Sequence, residues 1–141
     1  MSSYISEEVR SKVRKDCRDR CSYCQALQQY ILGVLEIDHI IPRVDGGSDE
    51  AENLCLACRL CNSYKSAQTL GVDPETRKKI PLFNPRKQQW SDHFKWSENS
   101  VYAVGKTNCG RATIDSLQLN NSYAITVRAA WVSVGWHPPI D

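Results

Sequence analysis

Four cysteines stand in two matched pairs, Cys21-Ser-Tyr-Cys24 and Cys58-Arg-Leu-Cys61, with 33 residues between the pairs. Two residues between cysteines let both sulfurs of a pair face one ion. Two such pairs complete a tetrahedral four-thiolate site of the kind that holds zinc; a redox pair and an iron–sulfur cluster are the competing readings. Closed coordination leaves no position for water, so this zinc is expected to be structural, and its binding supplies folding energy. Between and just after the pairs lie Asp38-His39, Asn53 and Asn62. A phosphodiester is an anion that resists attack, so cleaving it requires a deprotonated water and charge stabilisation on the phosphate and leaving oxygen. Neutral histidine is suited to the first task. A carboxylate and an amide oxygen are hard ligands suited to Mg²⁺, so a cation held by Asp38 and Asn62 could perform the second. Taken singly, each residue has a plainer reading: an acid–histidine pair before a proline makes a turn, and asparagines cap helices and loops. Their appearance together inside a four-cysteine frame is what points to chemistry.

The elements that must position these groups are partly legible. Ser6 followed by Glu7 and Glu8 reads as a helix start, and Ile5, Val9, Val13 and Cys17 recur every four residues. The pattern predicts a helix from Ser6 to Arg20 that delivers the chain to the first cysteine pair. Tyr30 to Ile41 is rich in β-branched and aromatic residues and reads as strand or hairpin, with Gly33 as a turn and Pro42 as its end. Arg43 to Glu52 reads as a loop and Asn53 to Ala57 as a second short strand. Arg59 to Gln68 reads as a helix, with Gly71 just past its end. Three prolines make Val72 to Pro85 an irregular connection. Val101 to Lys106 reads as a strand. Tyr123 to Val134 fits both periods, and Asn120-Asn121-Ser122 as a cap with Gly135 as a stop decides it for helix.

Composition sets the outer bounds. The chain has 141 residues, 41% of them hydrophobic and 24% charged, as expected of a globular protein. The formal net charge of +2 is too small to indicate a nucleic-acid partner by itself. Its distribution is uneven: Arg10 to Arg20 holds six basic residues and two acidic ones, and Arg77 to Lys87 holds five basic and none acidic. Both stretches could touch phosphates, though such runs are also common on solvated faces. The longest near-apolar run, Ala129 to Trp136, is too short to cross a bilayer. The first ten residues carry no apolar core of a signal peptide. A cytoplasmic protein without membrane contact is therefore expected. With seven cysteines and no leader, metal binding explains the cysteine content better than disulfides do. Cys17, Cys55 and Cys109 are left over and read as small buried residues.

The stretch Glu36-Ile-Asp-His-Ile-Ile-Pro-Arg-Val-Asp-Gly-Gly-Ser48, then Asn53-Leu54, then Cys58-Arg-Leu-Cys-Asn-Ser-Tyr-Lys65, resembles the HNH nuclease family. The likeness runs from Cys21 to about Gln68, roughly a third of the chain. It implies a ββα-metal core, two strands and a helix around one divalent cation, within an α+β fold. It also implies roles. Asp38 would bind the catalytic metal, His39 would be the general base, and Asn53 would hold the connecting loop and help orient His39. Asn62 stands where many members carry a final histidine. Without that imidazole, Mg²⁺ or Mn²⁺ is favoured over Zn²⁺ or Ni²⁺. The basic residues Arg43, Arg59, Lys65 and Arg86 are the expected contacts to DNA.

The expected organisation is one domain, 1–141: an N-terminal helix (1–20), a nuclease core with the zinc knuckles (21–70) and a C-terminal α/β extension (71–141). The aromatic-rich stretch from Pro81 through Trp96 could grip nucleic acid, or pack as a wrap on the nuclease core, as buried aromatics usually do. It resembles extensions of small bacterial HNH proteins, which assigns no function. The reading is an endonuclease that hydrolyses DNA phosphodiesters with one divalent cation. The alternatives are a non-catalytic zinc-knuckle module that binds nucleic acid, and a structural zinc domain that recruits a protein. Nothing in the sequence sets an oligomeric state.

Overall fold

The computed structural model describes residues 5–140, a mixed α/β arrangement of short antiparallel strand pairs and helices. The chain forms two compact units. One is built by residues up to Thr69 together with Asn84–Lys87, the other by Leu70–Phe83 together with the chain from Gln88 onward.

In the first unit, helix α1 spans Glu7–Asp16. Ser6 caps it by accepting the amide of Val9 at 3.2 Å, with Glu7 and Glu8 in the first turn and Arg14 and Lys15 in the last. It ends four residues before the expected Arg20. Arg18 and Asp19 adopt positive φ (55° and 50°), which turns the chain out of the helix and toward the first knuckle. Strand β1 is Glu36–His39 and pairs antiparallel with β2, Leu54–Ala57, in the register Asp38↔Cys55 and His39↔Leu54. The expected strand or hairpin over Tyr30–Ile41 is thus cut to four residues. Gln28 explains why: its amide donates to Gly33 O at 2.9 Å and its carbonyl accepts Leu35 N at 2.8 Å, tying the preceding segment into a loop.

Helix α2 spans Arg59–Lys65, with Cys58 as its cap. It stops at Ser66, whose φ is 50°, so Gly71 is not its terminator. Strand β2 is buried along its whole length, with α1 and α2 packed against it. Val13, Leu54 and Leu56 are fully enclosed, each stabilising the unit by about 1.5–3 kcal/mol.

The second unit begins with a hairpin, β3 (Leu70–Val72) against β4 (Lys79–Pro81), where an irregular connection was expected. A short helix α3 (Trp90–His93) leads into β5 (Phe94–Trp96), which pairs with β6 (Ala103–Gly105) inside the expected Val101–Lys106 strand. Helix α4 (Asn108–Leu117) was not anticipated. It is capped by Thr107, and Gly110 lets it press on the chain: a Cβ there would lie 2.0 Å from His93 O. Helix α5 (Ser122–Ser133) forms as the Asn121 cap and Gly135 (φ +78°) predict. No helix among the described residues is long and apolar enough to cross a membrane.

Candidate functional site

The first knuckle is a tight turn. Cys24 N donates to Cys21 Sγ at 3.5 Å, and Cys21 N closes the turn by donating to Ala26 O at 2.8 Å. The second is built into a helix start, where Cys61 N donates to Cys58 Sγ at 3.4 Å. All four sulfurs lie within 4.8 Å of one another, and those of Cys24 and Cys58 are 3.7 Å apart. A Zn–S bond of about 2.3 Å sets tetrahedral sulfurs about 3.8 Å apart, so the cluster fits the ion it was expected to hold. Burial pushes the Cys21 thiol up, whereas hydrogen bonds from Cys21, Cys24 and Cys61 hold the Cys58 thiol down. A cation between them would favour the thiolate at every position.

The knuckles do more than hold each other. Tyr23, inside the first, donates its hydroxyl to Asp38 Oδ2 at 2.8 Å. Lys65, one turn of α2 beyond Cys61, places its ammonium 3.3 Å from Asp38 Oδ1 and donates to His39 O at 3.1 Å and Ile40 O at 3.4 Å. Asp38, Tyr23 and Lys65 are all buried, and the Cys55 thiol lies 3.6 Å from Asp38 Oδ2. Burial also pushes the Tyr23 hydroxyl and the Cys55 thiol up, so both remain donors to the carboxylate.

The other side of β1 meets the loop. His39 Nε2 lies 2.7 Å from Asp49 Oδ1, and Arg43 Nε donates to the same oxygen at 3.0 Å. Asn53 closes this loop as a surrogate strand residue. Its Oδ1 accepts Ile41 N at 2.9 Å, and its Nδ2 donates to Ile41 O at 3.0 Å and Ser48 O at 2.8 Å. Gly47 is required there, because a Cβ would stand 1.7 Å from Ile41 O. On α2, Asn62 Nδ2 donates to Glu36 Oε1 at 2.8 Å.

The structure thus brings Asp38 and Lys65 together, sets Asn62 against Glu36, and sets His39 against Asp49. Arg43 and Arg59 are exposed. Lys65 and Arg86, expected to meet DNA, turn inward instead. Lys65 is 1% exposed, and Arg86 bridges Leu54 O and Asp16 Oδ2, both at 2.8 Å. That contact holds the Asp16 carboxyl below its usual range. Tyr23, Glu36 and Asp49 were missed. Glu36 had a signal in its alternate-residue spacing from Asp38 on a strand; Asp49 had none beyond its place in the Gly-Gly-Ser loop.

The oxygens of Glu36, Asp38 and Asn62 on the α2-facing side of β1 are of the type that hard divalent cations take. The Asn62 carbonyl and the Glu36 carboxylate fit that role. Asp38 fits it less well in this arrangement, since both its oxygens are engaged and the Lys65 ammonium already supplies positive charge there.

Residues 21–68 match the family model described as HNH endonuclease, which bears out the resemblance over that segment and suggests a nuclease-type function. No curated protein and no solved structure matches the chain.

Proposed function

We propose that the chain is a metal-dependent endonuclease that hydrolyses DNA phosphodiesters on a ββα-metal core formed by β1, β2 and α2, stapled by zinc at Cys21, Cys24, Cys58 and Cys61. The observation that carries this reading is His39: a half-buried histidine at the end of β1, fixed through Nε2, within the segment that matches the nuclease family. His39 is the general base for the attacking water. Asp38 and Asn62, with Glu36 beside Asn62, would hold one Mg²⁺ or Mn²⁺, which when bound stabilises charge on the phosphate and leaving oxygen. Lys65 competes with that cation for Asp38. Asn53 acts on the loop and touches no reacting atom. Arg59 is exposed on α2 and could meet phosphate, whereas Arg43, also exposed, is engaged with Asp49.

Incubation of supercoiled plasmid with the protein and Mg²⁺ or Mn²⁺ tests this. Nicking is expected, and His39→Ala lowers its rate about 10²–10⁴-fold, the usual loss of a general base. No nicking with any divalent cation, or nicking that His39→Ala leaves unchanged, overturns it. DNA binding that survives both His39→Ala and removal of Mg²⁺, without cleavage, would make the protein a non-catalytic knuckle module.

A further inference from the structure

We infer that Asp49 is the positioning carboxylate for His39, selecting which ring nitrogen takes the proton from water; this rests on the nuclease reading above. An ionised carboxylate only accepts hydrogen bonds, so at 2.7 Å from Asp49 Oδ1 the ring must carry its hydrogen on Nε2. In the neutral imidazole the remaining lone pair is then on Nδ1. Asp49 therefore makes Nδ1 the basic atom.

The loop is built to hold that pair. Asn53 grips Ser48 O, the carbonyl immediately before Asp49, while Gly47 lets the loop close on Ile41 O. Arg43 Nε donates to the same Asp49 oxygen that faces the ring. The guanidinium thereby limits the carboxylate's swing. Both His39 and Asp49 side chains are largely shielded, at 18% and 30% exposure, where such a hydrogen bond competes less with water. Lys65 fixes the other partner by binding the carbonyls of His39 and Ile40. The histidine and its carboxylate are thus anchored by separate contacts, one set from α2 and one from the loop.

In the reaction, a water proton passes to Nδ1 and the oxygen lone pair forms the new bond to phosphorus. The bond from phosphorus to the 3′ oxygen breaks, and that oxygen takes its electrons and a proton from solvent. The imidazolium, stabilised through Nε2–H by Asp49, returns the Nδ1 proton to solvent. Asp49 touches no substrate atom in this scheme.

The test replaces Asp49 by Asn in an Arg43→Met background that serves as the parent: with no guanidinium holding the amide oxygen toward the ring, Asn can offer its amide hydrogens to Nε2 and favour the opposite tautomer. Ring ¹⁵N shifts of His39, recorded at alkaline pH and assigned with His39→Ala, are expected to show hydrogen on Nε2 in the parent and on Nδ1 in Asp49→Asn. Plasmid cleavage by Asp49→Asn is expected to lose at least about 10²-fold in kcat at nearly unchanged KM. Asp49→Glu retains a carboxylate and is expected to recover the Nε2–H signature, which keeps the test valid should Asp49→Asn loosen the loop. An unchanged ¹⁵N pattern in Asp49→Asn, or unchanged kcat, makes Asp49 a loop staple and overturns the inference. A tautomer switch in a protein that cleaves nothing would leave the pairing standing and overturn the nuclease reading.

Discussion

In the first unit the largest fully buried side chains include Tyr23 and Lys65, both polar and both directed at Asp38. In the second they include Phe94, Leu117 and Leu119, and the cohesion there is aromatic. Phe94 meets Phe83 edge-on at 5.2 Å and stacks on Trp90 at 5.0 Å, Trp90 meets Trp96 at 5.1 Å, and Arg128 lies over the Trp96 ring. The second unit's buried carboxylate, Asp73, receives two hydrogen bonds at 3.0 Å from Arg111, which holds it well below the usual carboxylate range. It also caps its own turn through Thr76 and Glu75 N, a local structural task. The first unit therefore encloses polar groups next to its candidate catalytic residues, beside a four-cysteine cluster that could hold a metal. The second packs rings around its own buried polar groups, Asp73, Thr113, Arg128 and His137.

All four tryptophans, at positions 90, 96, 131 and 136, belong to the second unit, so their fluorescence reports on it alone. Chelation of the zinc, or Cys61→Ser, is expected to have the largest effect. The site would lose on the order of 10 kcal/mol of binding free energy, and the amide dispersion of residues 5–69 should collapse in NMR spectra. Tryptophan fluorescence should stay near its native value. If both signals are lost at the same chelator concentration, the contrast between the units fails.

Next in size is Lys65→Met. It leaves Asp38 buried without its ammonium and is expected to destabilise the first unit by about 3–5 kcal/mol in urea titration. Added Mn²⁺ should restore part of that loss, since a cation at Asp38 replaces the missing charge. A full-stability variant would mean that Lys65 is not the partner of Asp38.

The smallest effect is in the second unit. Burial, then the Arg128 charge, lowers His137 from 6.5 to about 4. The folded ring stays neutral while the unfolded one gains a proton between those values. The stability is therefore full above pH 6.5 and falls as pH drops toward 4. At 1.36 kcal/mol per unit the loss is at most about 3 kcal/mol. Thermal melts followed by tryptophan fluorescence should show this slope, and His137→Phe should flatten it. A slope that survives the substitution would assign it to another group.

Some of this architecture is written in short stretches of chain. The start of α1 at Ser6 and the start of α5 at Asn121 follow from residues within a few positions of one another, because caps are local. The hairpin of β3 and β4 was not legible. Its strands have three residues each, and β4 ends on Pro81, so neither builds a periodic signal. Helix α4 was missed although Thr107 caps it, since Gly105 and Gly110 around its start suggest a loop. The aromatic run from Trp90 to Trp96 packs on itself and on Phe83 within the second unit.

The four-cysteine cluster was determined by sequence alone, because a spacing of two residues constrains sulfur geometry within one turn of chain. The candidate set Asp38, His39, Asn53 and Asn62 was named from sequence, whereas the fold pairs Asp38 with Lys65, Asn62 with Glu36 and His39 with Asp49. Which way each charged side chain points was decided only by the fold. Lys65 looks like an exposed helix residue until β1 brings three acceptors to its ammonium from 25 to 27 positions earlier. Arg86 looks like a phosphate contact until β2 and α1 offer it Leu54 O and Asp16. Asp49 becomes the partner of His39 only because Asn53 and Gly47 fold the loop back. A buried charge takes the partner that desolvation demands, and that partner is far away in sequence.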